Sequence, residues 1–255
     1  VANKPEIRLN FGNQPFQEQL DYFKQKVNLP TEKWDDLKQG MHARAFVIAG
    51  ATQDALLTDF RTSIEKIMEN GGGLKEFRED FDNIVQKHGW EFNGDPGWRS
   101  RVIFETNMRT AYMAGRYKQM TTPTNMKMRP YWQYLHGNSK NPRPEHLAWH
   151  AIVLLATDPW WRTHFTPNGW GCTCYVGSLS KRDLERENLQ VSEAPTAPDD
   201  TTGIDEGWNY NVGETAWGRP LSEEIMNEAK TTKADWENIT PGNPDFYGLP
   251  EDLPL

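Results

Sequence analysis

His164-Phe-Thr-Pro-Asn-Gly-Trp-Gly-Cys172-Thr-Cys174-Tyr-Val176 holds both cysteines of the 255-residue chain, one residue apart. Its first ten residues carry Pro, Asn and Gly punctuation that no helix tolerates, and its end, Cys172–Val176, reads as a short strand. Four of the six histidines, His136, His146, His150 and His164, fall within forty residues upstream of the cysteines. Thiolate sulfur and imidazole nitrogen are the ligand types that suit zinc, which takes four ligands in structural sites. Cys172, Cys174, His146 and one of His150 or His164 would supply them. The other reading is a knot in which small buried thiols and loop-bound histidines hydrogen-bond without metal. Either way the stretch predicts loops from several places gathered at one point.

Outward from this stretch the texture is the same back to Pro130. Tyr131–Leu135 and Ala151–Leu155 read as short strands, and Glu145–His150 as a short helix. The chain then continues through a helix at Lys181–Asn188, with Ser180 as its N-cap. Gly-Trp pairs at 89–90, 97–98, 169–170 and 207–208, with Trp160-Trp161, account for most of the 11 tryptophans and mark turns tied down by large rings.

The first half is helical in pattern. Phe16, Leu20, Phe23 and Val27 recur on one face behind Pro15. Thr31 reads as the N-cap of a helix carrying Trp34, Leu37 and Met41. Leu56, Phe60, Ile64 and Ile67 form a stripe that stops at Gly71-Gly72-Gly73, and Phe77, Phe81 and Ile84 form the next, closed by Gly89. A longer helix spans about 98–119, with polar Thr106, Asn107 and Thr110 on its inward side. From Pro195 onward, Pro, Gly, Asp and Thr predict an extended tail with one helical patch near Ser222–Lys230. The fold class is therefore α+β, divided into a helical bundle region (1–128), a small α+β region with the His/Cys cluster (129–194) and an extended acidic tail (195–255).

Charge sharpens the division. Residues 97–135 carry seven Lys/Arg against Glu105 alone, while 181–255 carry seventeen Asp/Glu against six Lys/Arg. Arg101, Arg109 and Arg116 fall on one side of the long helix, a stripe suited to phosphates or to an acidic protein surface. The net charge of −8 argues against broad, nonspecific DNA coating. With 36 % apolar residues and a mean hydropathy of −0.80, no run approaches the roughly 20 apolar residues of a membrane span, and no signal-peptide pattern opens the chain. A reducing cytosol is the simplest compartment for the lone cysteine pair.

Candidate chemistries are few. His146-Leu-Ala-Trp-His150 has the spacing of a zinc-protease helix but lacks the glutamate after the first histidine. The Gly71–Gly73 run follows a helix and lacks the Lys-Ser/Thr ending of a phosphate loop. Nothing marks either cysteine as an activated nucleophile, and no residue is assigned a catalytic role.

Several segments together resemble one family. Trp98-Arg-Ser-Arg-Val-Ile-Phe-Glu-Thr-Asn-Met-Arg-Thr-Ala-Tyr-Met-Ala-Gly-Arg-Tyr117 is similar to the signature helix of the phage Mu F-like minor head proteins, also called head morphogenesis proteins. Arg129-Pro-Tyr-Trp-Gln-Tyr-Leu-His136 resembles the strand that follows it. Arg143-Pro-Glu-His146, Asp158-Pro-Trp-Trp161 and Pro167-Asn-Gly-Trp-Gly-Cys-Thr-Cys174 resemble its closing motif, with Thr173 where many members carry Arg. Leu29-Pro-Thr, His42-Ala-Arg-Ala-Phe46 and Ala49-Gly50 fit the Mu-like branch, so the likeness covers about residues 10–195.

The resemblance favours His146 over His150 and leaves His146, His164, Cys172 and Cys174 as the ligand set for a structural zinc. It implies a non-enzymatic minor protein of a tailed-phage or prophage head, near the portal. Its implied partners are the portal or other head proteins and packaged DNA, met through Arg101, Arg109 and Arg116. The implied locations are the virion head and, during assembly, the host cytoplasm. The competing expectation is a toxin-like nuclease or transferase domain using the His/Cys cluster.

Overall fold

The computed structural model describes residues 15–33, 37, 40–196 and 201–217. Its elements run α1 (Gln17–Gln25), β1 (Val27–Asn28), α2 (Met41–Arg44), β2 (Ala45–Phe46), α3 (Asp54–Asn70), α4 (Leu74–His88), α5 (Pro96–Met120) and α6 (Pro123–Met128). They continue with β3 (Tyr131–Leu135), α7 (Pro144–Ala148), β4 (Val153–Leu155), α8 (Trp161–His164), β5 (Tyr175–Leu179), α9 (Lys181–Glu187) and α10 (Val212–Trp217). The architecture is α+β, as the texture of the sequence implies.

The central element is α5. Asp95 caps it by accepting the Trp98 N–H at 3.0 Å, and Pro96 opens it with a preset φ. Helices α1, α3, α4 and α10 all pack on it. Phe104 stacks on Phe77 of α4, which meets Phe60 of α3 and Phe81. Further along α5, Tyr117 meets Trp132 and Phe165 edge-on. One cluster of buried apolar side chains therefore runs from Leu20 through both halves of the chain to Val212.

Close approach on α5 depends on small residues. A Cβ on Gly115 would lie 2.7 Å from the backbone nitrogen of Gln19, so α1 rests against bare backbone there.

The sheet β4-β3-β5 is antiparallel, with Trp132 opposite Leu154 on one side and Ser178 on the other. Trp132 and Tyr134 enter the main cluster. The alternate face carries Tyr131, which packs on Val153, Leu179 and Leu184 beneath α9. Ser180 caps α9 in a reciprocal box with Asp183. Asp183 also receives Arg129 at 2.9 Å, tying the start of β3 to α9.

Several local expectations change. Val27 is not on α1, which ends at Gln25; it pairs in parallel with Ala45 and is 38 % exposed. Thr31 caps no helix among the described residues; its carbonyl accepts the Gly50 N–H, and the short helix comes later, at Met41. Trp34 lies outside the described residues. The cysteines precede the strand, because β5 begins only at Tyr175. Residues 201–217 are not an extended tail. Trp208, Tyr210 and Val212 are buried, and the Trp217 indole donates to the Ala114 carbonyl at 2.7 Å. Pro and Gly there shape turns that carry aromatic anchors to the core, which composition alone cannot distinguish from an unpacked run. The helical patch expected near Ser222–Lys230 lies outside the described residues. Among the described residues no helix is long and apolar enough to cross a membrane.

Candidate metal centre

Three elements converge beside α5. Pro144 at the first position of α7 fixes the helix start and sets His146 in its first turns. The Gly169–Cys174 loop brings the thiols from the other side, with the Cys172 N–H held by the Gly169 carbonyl at 3.1 Å. Gly137 lets the loop after β3 lie directly against Thr173, where any Cβ would collide with the Thr173 backbone.

His146, Cys172 and Cys174 are all buried, and their ligand atoms lie within 4.8 Å of one another. His146 Nδ1 stands 3.7 Å from Cys172 Sγ and 3.5 Å from Cys174 Sγ. On the far side of the ring, Nε2 lies 2.9 Å from the Gly203 carbonyl oxygen. A carbonyl only accepts, so Nε2 carries the proton and Nδ1 turns its lone pair toward the sulfurs. A backbone carbonyl that orients the ring in this way is the usual outer support of a metal-binding histidine. Tetrahedral zinc with Zn–S of about 2.3 Å and Zn–N of about 2.0 Å has an S···N edge of roughly 3.5 Å. The trio fits that edge, and zinc's remaining position would fall to a ligand outside the trio.

The electrostatics of the pair are asymmetric. The hydrogen bond from Cys174 holds the Cys172 thiol well below its ordinary range, against the opposing effect of burial. That bond and burial push Cys174 up. The buried phenol of Tyr134, also raised by burial and by the two sulfurs, donates to Asn168 Oδ1 at 3.2 Å. One thiolate shared between two sulfurs next to a neutral imidazole is a donor set ready for a thiophilic cation.

His164 does not join the trio. Its ring stacks on Trp160 at 4.1 Å between centroids, and its Nδ1 lies 2.8 Å from the Thr163 hydroxyl and 3.2 Å from the Trp160 carbonyl. It contacts Trp149, which in turn stacks on His146. The aromatic ladder holds this ring one layer away from the sulfurs. His150 Nδ1 accepts the His136 N–H at 3.1 Å, so these two histidines close the loop after β3.

The arginines also separate. Arg109 reaches inward, donating to the Cys172 carbonyl at 3.3 Å and pairing with Glu105 at 3.1 Å. Arg116 is half-buried and donates to Gln119 at 3.0 Å, whereas Arg101 is exposed. Asn107 resolves its buried amide locally, on the Ile103 carbonyl at 2.9 Å.

Gly203 and Asp205 were invisible as site residues because they sit in the stretch whose composition reads as tail. Asp205 pairs with Arg143, whose Nε donates at 3.0 Å, and accepts the Trp170 N–H at 2.8 Å. The one available signal was the Gly207-Trp208 pair, a repeat of the punctuation that ties down the other loops.

The description "Phage Mu protein F like protein" belongs to the family model that matches residues 58–177. The putative capsid assembly protein F of Escherichia phage Mu is 34 % identical, across 80 % of this chain and 55 % of that protein. The Mu-like prophage FluMu F protein of Haemophilus influenzae is 33 % identical, across 75 % of this chain and 55 % of that protein. The chain thus spans about half the length of the curated relatives it matches. No solved structure matches it. The family match includes most of α3, all of α4 and α5, and the His146, Cys172 and Cys174 trio, and both relatives extend it over most of the chain: the chain belongs to the phage Mu F-like family.

Proposed function

We propose that this chain acts in head assembly of a tailed phage or Mu-like prophage, as a non-enzymatic head protein that works beside the portal. The observation that carries this reading is the 34 % identity to a putative capsid assembly protein over 80 % of the chain. The geometry agrees with a structural role. The trio is 2–6 % exposed and enclosed by Trp149, Tyr134 and the Gly203 turn, which suits a clamp better than a site that must admit a substrate. That burial weighs against a nuclease or transferase working through the cluster.

In this reading zinc, held by His146, Cys172 and Cys174, fastens α7, the Cys172–Cys174 loop and the 203–205 turn to one another, and its binding energy acts as folding energy. Of the three arginines only Arg101 stands exposed, which supports a compact basic contact with a head protein over extended phosphate binding.

Two measurements test the proposal. In a phage or prophage carrying this gene, Arg101→Glu is expected to reduce co-purification with the portal and the yield of filled heads; normal heads without the protein would overturn the assembly role. Elemental analysis of chain purified without chelators is expected to find one zinc per chain, lost in Cys174→Ser. Absence of zinc would return the trio to hydrogen-bonded packing.

A further inference from the structure

A cavity of about 560 Å³ opens between the β2 segment, the first half of α5, the Trp170-Gly171 turn and Trp208–Tyr210. Its volume falls in the range of built binding pockets, and like them it is mainly apolar with a few convergent polar groups. Lys26 lines it and is only 5 % exposed. Its ammonium lies over the Tyr22 ring at 5.5 Å, and among the described residues no carboxylate pairs with it. Lys24, two residues earlier, is exposed and pairs with Glu65 and Glu69. A buried ammonium without a carboxylate is costly unless it gives up its proton or an anion is supplied from elsewhere; burial, with Arg61 nearby, pushes Lys26 down to about 7, and an anion in the cavity would favour the charged form.

Two other lining groups keep an unpartnered buried atom, the Thr110 hydroxyl and the Arg99 Nε, although the Arg99 guanidinium also donates through Nη2 to the Ala49 carbonyl and lies over the Trp90 ring. Glu105, the single acid of the lining, is taken by Arg109. Trp98 and Trp170, 54 % and 37 % exposed, stand at the cavity beside exposed Arg101. Trp and Arg are the residue types that most often carry binding energy between proteins.

We infer that this cavity docks an acidic segment of another polypeptide, which inserts one aromatic or long aliphatic side chain while a neighbouring carboxylate reaches Lys26. The choice of a polypeptide over a free small acid rests on the head-assembly reading; the missing counter-charge and the apolar volume do not.

The test uses the full chain and two acetylated, amidated tripeptides, Asp-Phe-Glu and its neutral analogue Asn-Phe-Gln, followed by calorimetry and by the emission of the cavity tryptophans. The acidic peptide is expected to bind about tenfold tighter than the neutral one. Lys26→Met is expected to erase that difference, and Trp98→Ala, at an exposed site, to weaken both peptides. Equal affinity of the two peptides for the unaltered chain would overturn the inference, and this comparison stands even if Lys26→Met does not fold. Phenylacetate binding as tightly as the acidic peptide would reassign the cavity to a free acid. Oligothymidylate that competes with the peptide and needs Lys26 would reassign it to nucleic acid. Either result overturns the proposal. Normal peptide binding by a chain that proves dispensable for heads would remove the assembly reading and leave the pocket standing.

Discussion

At His146 one hydrogen bond decides what the site can do. With the proton held on Nε2 by the Gly203 carbonyl, the other nitrogen has only its lone pair to offer the sulfurs. The residue types were legible from the sequence, since two cysteines one residue apart among four histidines invite a metal reading. His146 stood in every ligand set the sequence offered; whether His164 joins it was not legible, and its stacking on Trp160 together with its hydrogen bonds to Thr163 and the Trp160 carbonyl keeps it out.

Isolated charges are the other residue-scale feature. Glu214 of α10 is half-buried with Oε2 enclosed and unpartnered, and burial pushes it up to about 7 against a partial offset from Arg162. Between the ordinary glutamate range and pH 7 the folded chain keeps a proton that the unfolded chain releases, so this group lowers stability as pH rises through that window. Glu214→Gln is expected to raise stability at pH 8 by about 1–3 kcal/mol and to flatten the decline, as read from urea midpoints across pH. A midpoint unchanged by the substitution at pH 8 would show that the carboxylate is solvated.

At the scale of elements, periodicity carried well. The stripes at Leu56, Phe60, Ile64 and Ile67, and at Phe77, Phe81 and Ile84, became α3 and α4. Both end at glycines in the left-handed region, Gly71 and Gly89. Such stripes are legible because helix burial repeats every three or four residues regardless of partner. The short elements were harder. Thr31 looked like a cap, but it has no helix to close among the described residues, and the Cys172–Cys174 loop looked like strand because it leads into one. The long helix α5 was legible in extent, yet its burial on several sides was not, since it depends on which helices surround it. Gly115 marks the tightest of those contacts. Gly115→Ala is expected to push α1 away and cost about 1–3 kcal/mol, although alanine favours an isolated helix. Thermal unfolding checks it; an unchanged or higher midpoint would mean that α1 yields without strain.

Across the whole molecule, the 201–217 segment acts as a clasp. Arg143 and the Trp170 N–H hold Asp205, the Arg44 Nε donates to the Thr215 carbonyl at 2.8 Å, and the Trp217 indole reaches α5. These contacts join α2, α5, α7 and the cysteine loop. Asp205→Ala is expected to destabilise the chain by roughly 1.5–3 kcal/mol through the lost charged hydrogen bonds. In the zinc clamp proposed above, it is also expected to weaken metal retention about tenfold or more, because the turn that orients His146 loosens. Retention of zinc by Asp205→Ala against a competing chelator at the unaltered level would separate the clasp from the trio.

By itself the amino-acid sequence determined the class of the fold, the family and the residue types available to the candidate site, because these depend on local periodicity and on residue types kept in order along the chain. Only the tertiary structure decided that His146 and not His164 faces the thiols, that Arg109 turns inward, and that a run of turn-forming residues is part of the core. Each of those outcomes rests on contacts between residues far apart in sequence, where burial and hydrogen-bond direction arise only once the segments have met.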